Sequence, residues 1–143
     1  MPKEATAVAA GRALLLAPLL TLSACAKDAS ASLTTVTSWA ATARLAGESW
    51  SAGRVPTPYT RRALEAAEKG IAEAEKDLAK AEDLPAARGD ALRRVTGTLR
   101  QAVSEARAAV ERRDRGALSP ALARLAAGER AVATARNSGG GGR

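Results

Sequence analysis

The chain has 143 residues and a formal net charge of +7, with 22 Lys and Arg against 15 Asp and Glu. Histidine is absent and cysteine occurs once, which excludes an internal disulfide and removes the commonest general base and the usual zinc, haem and thiol sites. Aromatic residues make up 2% of the chain, so few large side chains remain to shape a deep pocket.

Residues 1–24 have the pattern of a secretory signal peptide. The charges of this segment precede residue 13, an uncharged apolar run follows, and small residues end it. The apolar run is roughly ten residues long, about half of the ~20 that a helix needs to cross a bilayer. A charged start, a short apolar middle and a small-residue end are typical of export followed by cleavage.

The end of this segment, Leu22-Ser23-Ala24-Cys25, resembles the lipobox of bacterial lipoproteins position for position. The resemblance implies cleavage between Ala24 and Cys25 and a lipid bilayer anchor of fatty acyl chains on Cys25. Two or more such chains hold a protein firmly, at ~0.8 kcal/mol per buried methylene. The alternatives are an ordinary signal peptide followed by a chance cysteine, and a buried N-terminal helix.

The resemblance also implies a location. It makes the protein exported and membrane-anchored, and Ala26 in place of Asp favours the outer membrane, facing the periplasm. Residues 25–31 are then the lipidated cysteine and a short tether. The resemblance covers residues 1–25 and implies nothing about the rest of the chain.

Residues 32–136 predict a helical domain, because apolar residues recur at helical spacing and the period-2 alternation of strands is missing. The predicted helices span residues 32–51, 58–83, 90–113 and 119–136. Thr57 and Ser119 each precede a proline and are the expected N-caps of the second and fourth helices. The glycine-rich residues 137–143 predict a flexible tail.

Each predicted helix has an inward face. On the first helix this face carries Val36, Trp39, Ala43, Ala46 and Trp50. The second helix has a seven-residue repeat of one large residue and one alanine, formed by Leu64, Ile71 and Leu78 with Ala67, Ala74 and Ala81, a pattern that lets two helices pack closely. The third helix presents Leu92, Thr96, Leu99, Val103, Ala106 and Val110, and the fourth Leu122, Leu125, Ala126 and Val132.

Charges predict how the second and third helices pair. A glutamate stripe on the second helix faces an arginine stripe on the third if the two form an antiparallel hairpin. The expected pairs are Glu82 with Arg93, Glu75 with Arg100, and Glu68 with Arg107. The residue numbers of each pair add to the same total, as an antiparallel register requires. The turn is expected near residue 88, beside Gly89.

These elements predict the fold class: an all-α, small antiparallel up-down bundle of four helices that follows a signal peptide. A three-helix bundle with the first helix splayed away is the alternative.

The aromatic residues allow two interpretations. Trp39 and Trp50 are three helical turns apart and project from nearly the same face. They are either core anchors or, with Tyr59, the lining of a ligand or partner contact. Similarly, residues 54–59 form either an extended recognition loop or a rigid connection in which Tyr59 packs beneath the next helix.

The second half of the domain is basic. The candidates for contact with an anionic partner, either lipid headgroups or another envelope protein, are Arg93, Arg100, Arg107, Arg124 and Arg130. The alternative is a solvated face that the second helix partly balances.

These observations predict a non-catalytic, membrane-anchored envelope lipoprotein with a structural or accessory binding role. Nucleic acid is not an expected partner, because the leader exports the chain and aromatic and basic residues do not interleave. No catalytic constellation, metal-ligand cluster or cofactor motif is present in the sequence. The alternative function is a small-ligand carrier with a groove lined by Trp39, Trp50 and Tyr59.

Overall fold

A computed structural model describes residues 29–138 and contains four α-helices in this range. The helices are α1 (Ala29–Ser51), α2 (Thr57–Ala79), α3 (Ala86–Glu111) and α4 (Arg115–Asn137). The predicted all-α helical bundle is confirmed.

The helices form a ring in which each packs against two neighbours. The adjacent pairs are α1 with α2, α2 with α3, α3 with α4, and α4 with α1, and α1 also contacts α3 across the centre. Because α1 packs on both α2 and α4, the alternative with a splayed first helix is wrong. Wholly buried Leu64, Ile71, Leu99 and Leu125 are among the side chains that fill the middle.

The buried face of α1 differs from the predicted one. Val36, Ala43 and Trp50 are buried as expected, but Trp39 and Ala46 are only half-buried. Their places in the core are taken by Leu33, Ala40 and Gly47. The buried face of α1 is therefore rotated about the helix axis relative to the predicted face. Small residues of α1 lie against the neighbouring helices, and the spacing of hydrophobic residues does not reveal which small residues are buried.

A glycine turn ends α1. Gly53 has a φ of 71°, and the backbone N–H groups of Gly53 and Arg54 donate to the carbonyls of Trp50 and Ser49, each at 2.9 Å. This pair of bonds is a Schellman motif, whose left-handed residue is normally glycine. The predicted N-cap role of Thr57 is wrong, since α2 begins at Thr57 and has no side-chain cap.

The connection between α2 and α3 lies earlier than predicted. α2 ends at Ala79, four residues before the expected end, and α3 begins at Ala86, four residues before the expected start. Pro85 disfavours helical backbone at the preceding residue and instead starts α3, where its carbonyl accepts from the Gly89 N–H at 2.9 Å. Gly89 is therefore a buried helical residue and not part of the turn.

The turn between α3 and α4 repeats the Schellman motif with an arginine in the glycine position. Arg113 has a φ of 56°, and the N–H groups of Arg113 and Asp114 donate to the carbonyls of Val110 and Ala109 at 3.0 and 2.8 Å. Asp114 then caps α4, accepting from the Ala117 N–H at 2.9 Å.

The start of α4 also corrects the sequence analysis. Ser119 is not the N-cap, because α4 begins four residues earlier, and Pro120 lies inside the helix. A proline there removes one backbone bond. The carbonyl that loses its donor belongs to Gly116, an exposed residue at which water can replace the bond.

Close helix contacts at three of the four interfaces depend on glycine. A Cβ at Gly47 would lie 2.7 Å from Leu122 Cδ2 of α4, and one at Gly128 would lie 2.7 Å from Leu99 Cγ of α3. At Gly70 of α2 it would overlap the Trp39 indole of α1. A large side chain of the neighbouring helix therefore sits directly on each glycine backbone.

Candidate functional site

Cys25, Ala24 and the rest of the lipobox lie outside the described residues, so lipidation stays a prediction. α1 begins four residues after Cys25, and four residues of chain span at most about 14 Å. Within residues 29–138, no helix combines the length and apolarity needed to cross a membrane.

Two of the three predicted pairs between α2 and α3 are present. Arg100 Nη1 lies 2.9 Å from Glu75 Oε2, and Arg107 Nη1 lies 3.0 Å from Glu68 Oε2. This pairing confirms the antiparallel register of the hairpin. The third predicted pair is wrong, because Glu82 follows the end of α2 and Arg93 instead pairs with Asp90 on its own helix.

An arginine of α4 and an arginine of α1 also form ion pairs with glutamates of the bundle. Arg124 pairs with Glu105 of α3. Arg44 of α1 donates to Glu129 and Glu48 at 2.9 and 2.8 Å, and these bonds raise the pKa of Arg44 above its usual value. Of the five arginines that the sequence analysis singled out, four are thus paired inside the bundle. Arg130 is exposed and forms no ion pair with the described residues.

The two tryptophans lie in different places. The half-buried Trp39 lines a depression of about 230 Å³ between α1 and α2, together with Ser32, Gly70 and Asp77. Trp50, at the far end of α1, lines another depression of about 370 Å³. The two depressions share no lining residue, so the described structure does not bring both indoles into one groove.

Trp50 joins the two loops at one end of the bundle. It is 7% exposed, its indole Nε1 donates to Thr57 Oγ1 at 2.9 Å, and the Arg115 guanidinium lies 5.7 Å from the ring centroid. This distance is within the range of a cation–π contact. Since Thr57 starts α2 and Arg115 starts α4, the single indole holds both helix starts at the end of α1.

Tyr59 does not pack beneath the following helix, so that expectation is wrong. Its side chain is 66% exposed, in the first turn of α2. The ring is therefore presented to solvent close to the two loops that Trp50 joins.

These loops and helix starts form a strongly basic region, which we call the basic end. Residues 51–62 and 111–116 supply its cations: Arg54, Arg61, Arg62, Arg112, Arg113 and Arg115. The same residues include only two acids, Glu111 and Asp114, which leaves a net charge of +4.

Both acids of the basic end already have partners within the bundle. Glu111 Oε1 lies 3.9 Å from Arg107 Nε, and Asp114 caps α4. None of the six arginines has a carboxylate within 4 Å among the described residues. The guanidinium groups of the basic end are therefore available to an external anion, unlike those of the α2–α3 stripe.

The basic end was not predicted, although the sequence contains the necessary signal. In an up-down bundle the first and third connections lie at the same end, which would place residues 52–56 and 112–114 together. When arginines are grouped by position in the chain and along helix faces, Arg54, Arg61 and Arg62 are separated from Arg112, Arg113 and Arg115.

Within residues 29–138, no group of three or more Asp, Glu, Cys or His side chains is placed to hold a metal ion. No protein-family model, curated protein or solved structure matches the chain. A functional interpretation therefore depends on the chain's own residues.

Proposed function

We propose that the protein is an exported lipoprotein, anchored in a membrane through acylated Cys25, whose helical bundle acts as a non-catalytic spacer with a binding surface at its outer end. The observation that carries this proposal is that the two ends of the bundle differ. The lipobox precedes one end of the bundle, and the six unpaired arginines of the basic end lie at the opposite end.

The distances support this arrangement. α1 begins at Ala29, so the tether keeps that end of the bundle within about 14 Å of the acylated cysteine. A helix of 23 residues is about 35 Å long. An upright bundle would therefore hold its basic end well beyond the headgroups of the membrane that anchors it.

The packing supports a non-catalytic role. Buried Leu, Ile and Val side chains fill the centre, and the buried polar residues within residues 29–138 are Ser32, Thr60 and Thr96. Thr60 and Thr96 hydroxyls donate to the carbonyls of Pro56 and Arg93 at 3.2 and 3.1 Å. These hydroxyls serve helix backbone and are not arranged around a reactive group.

Expression of the full chain in a bacterial host tests the anchor. We expect the protein to fractionate with membranes and to begin at a Cys25 that carries acyl chains, as measured by mass spectrometry of the N-terminal peptide. Cys25→Ser is expected to release it into the soluble exported fraction, because the thioether can no longer form.

Ser30→Ala, a substitution five residues further along the chain, is the matched control and should leave membrane association unchanged. Membrane association of Cys25→Ser equal to that of the original chain, or an unmodified thiol in the mature protein, would refute the anchor.

A further inference from the structure

We infer that the basic end is a docking surface for a membrane whose headgroups carry phosphate. This inference deepens the proposed function, because it names the partner of the outer end of an anchored bundle. In an upright orientation that partner is a second lipid surface, and the bundle would bridge two membranes.

The first observation is the concentration of unpaired cations of one type. The six cations of the basic end are all arginines, and the two acids within its residue ranges, Glu111 and Asp114, are engaged within the bundle. The planar guanidinium fork binds phosphate oxygens through two parallel hydrogen bonds. Six such groups around two loops suit a partner that displays many phosphates on a surface.

The second observation is the exposed tyrosine. Tyr59 is one of two large apolar residues that are exposed among the described residues, and it lies in the first turn of α2, one turn before Arg62. An aromatic ring with a polar tip is enriched where a protein meets the headgroup layer of a membrane. This position favours a lipid surface over an acidic protein segment, which would need only the charges.

The third observation is the pre-arranged depression of the basic end. The buried Trp50 ring lies under Arg115, and the depression of about 370 Å³ is lined by Trp50, Thr57, Arg113 and Arg115. Two of its four lining residues are arginines, so the recess places cations around a volume large enough for a headgroup phosphate. The buried indole and its bond to Thr57 hold one wall of this depression in place.

The backbone of Arg113 agrees with this inference. It adopts the left-handed conformation that glycine adopts at the equivalent Gly53 of the other turn. A side chain at that φ carries an energetic cost, and here the strained position keeps a guanidinium at the rim of the depression.

Vesicle binding by the full chain tests the surface. Every protein carries Cys25→Ser, so that the result is independent of lipidation and can fail separately from the proposed anchor. Binding to phosphatidylcholine vesicles with and without phosphatidylglycerol is measured by co-sedimentation at low and high ionic strength. Residues 1–24, where they are retained, are the same in all variants, and binding to vesicles without phosphatidylglycerol measures their contribution.

Two charge-matched triple variants locate the contact. The first neutralises the basic end with Arg54→Gln, Arg61→Gln and Arg112→Gln. The second removes three exposed arginines elsewhere, with Arg94→Gln, Arg130→Gln and Arg136→Gln. Each arginine near an anionic surface strengthens partitioning about fivefold, so we expect the first variant to lose about 100-fold in binding and the second much less. High salt should abolish the difference by screening.

Two other measurements decide the source of the anion. Polyglutamate that binds the basic end as tightly as the anionic vesicles do would reassign the surface to an acidic protein. Inorganic phosphate that displaces the protein from vesicles at low concentration would reduce the site to a phosphate pocket. Equal losses in the two triple variants, with helix content unchanged by circular dichroism, would overturn the inference, since net charge alone would explain the binding.

Discussion

The contact between Trp39 and Gly70 makes the sharpest stability prediction. A Cβ at position 70 would lie 2.5 Å from Trp39 Cδ1 and closer still to Nε1 and Cε2. Ordinary carbon contacts are ~3.5–4.0 Å, so the indole would have to retreat by about 1 Å or more. Overpacking of this kind costs about 1–3 kcal/mol, and the high helix propensity of alanine returns about 1 kcal/mol.

We place the cost of Gly70→Ala near the upper limit, because the obstacle is a rigid, half-buried ring that lies directly against the backbone of α2. The expected net destabilisation is about 2 kcal/mol, and each kcal/mol corresponds to ~4–8 °C in Tm for a domain of about this size. Urea unfolding followed by far-UV circular dichroism measures the change. Gly97→Ala is the matched control, since its Cβ would meet Glu75 Oε1 at 3.7 Å, and we expect it to stabilise the protein by up to about 1 kcal/mol.

A double-mutant cycle separates the clash from other effects. In a Trp39→Ala background the ring is gone, so Gly70→Ala should become neutral or stabilising, with a coupling energy of about 2–3 kcal/mol. If Gly70→Ala stabilises the protein as Gly97→Ala does, or if its cost is the same with and without Trp39, the packing of α1 on α2 is not as described.

Two further predictions concern the loops. Arg113→Gly should stabilise the protein by about 0.5–1 kcal/mol, because the left-handed backbone favours glycine; Gly53→Ala, whose Cβ would meet nothing within 4 Å, should destabilise it by a similar amount for the same reason. Opposite signs in urea unfolding are required, and equal signs would contradict the two matched Schellman turns. Asp114→Ala should cost about 1 kcal/mol through loss of the α4 cap, whereas Ser119→Ala should have little effect on the unfolding midpoint; a larger loss for Ser119→Ala would show that α4 begins where the sequence alone suggested.

The interfaces of the bundle are stabilised in two different ways. Glycine lets a large side chain of the next helix approach the backbone at Gly47, Gly70 and Gly128, and such contacts gain dispersion energy from close approach. Between α2 and α3 the interface is bordered by Glu–Arg pairs, which are partly exposed and contribute only about 0–1 kcal/mol each. The pairs set the register of the hairpin, while the glycine contacts determine how near the other helices lie.

Helix type, helix number and the hairpin register were predictable from the sequence. The 3.6-residue spacing predicts helices, and the matched stripes predict the pairing of Glu75 with Arg100 and of Glu68 with Arg107. The inward face of α3 was also correct, because its six predicted side chains are all buried. These features are local or repeat along the chain, so a linear pattern contains them.

The ends and the outer contacts of the helices needed the tertiary structure. Thr57 and Ser119 had the composition of N-caps, but Thr57 binds the Trp50 indole instead, and Asp114 provides the cap of α4. Trp39 matched an inward face yet lies on Gly70 at the edge of the bundle. From the sequence alone, a glycine against which a neighbouring ring packs cannot be distinguished from a glycine that interrupts a helix.

An antiparallel helical bundle is thus encoded in the linear pattern of the chain, because hydrophobic and charge periodicity set which helix faces can be buried and paired. The basic end depends instead on how the helices pack. Arg54, Arg61 and Arg62 share a surface with Arg112, Arg113 and Arg115 because the helices fold back on one another and bring together residues about fifty positions apart. The packing of the helices also determines which arginines lack a carboxylate partner, because an ion pair depends on where two side chains meet in space and not on how many charges the chain contains.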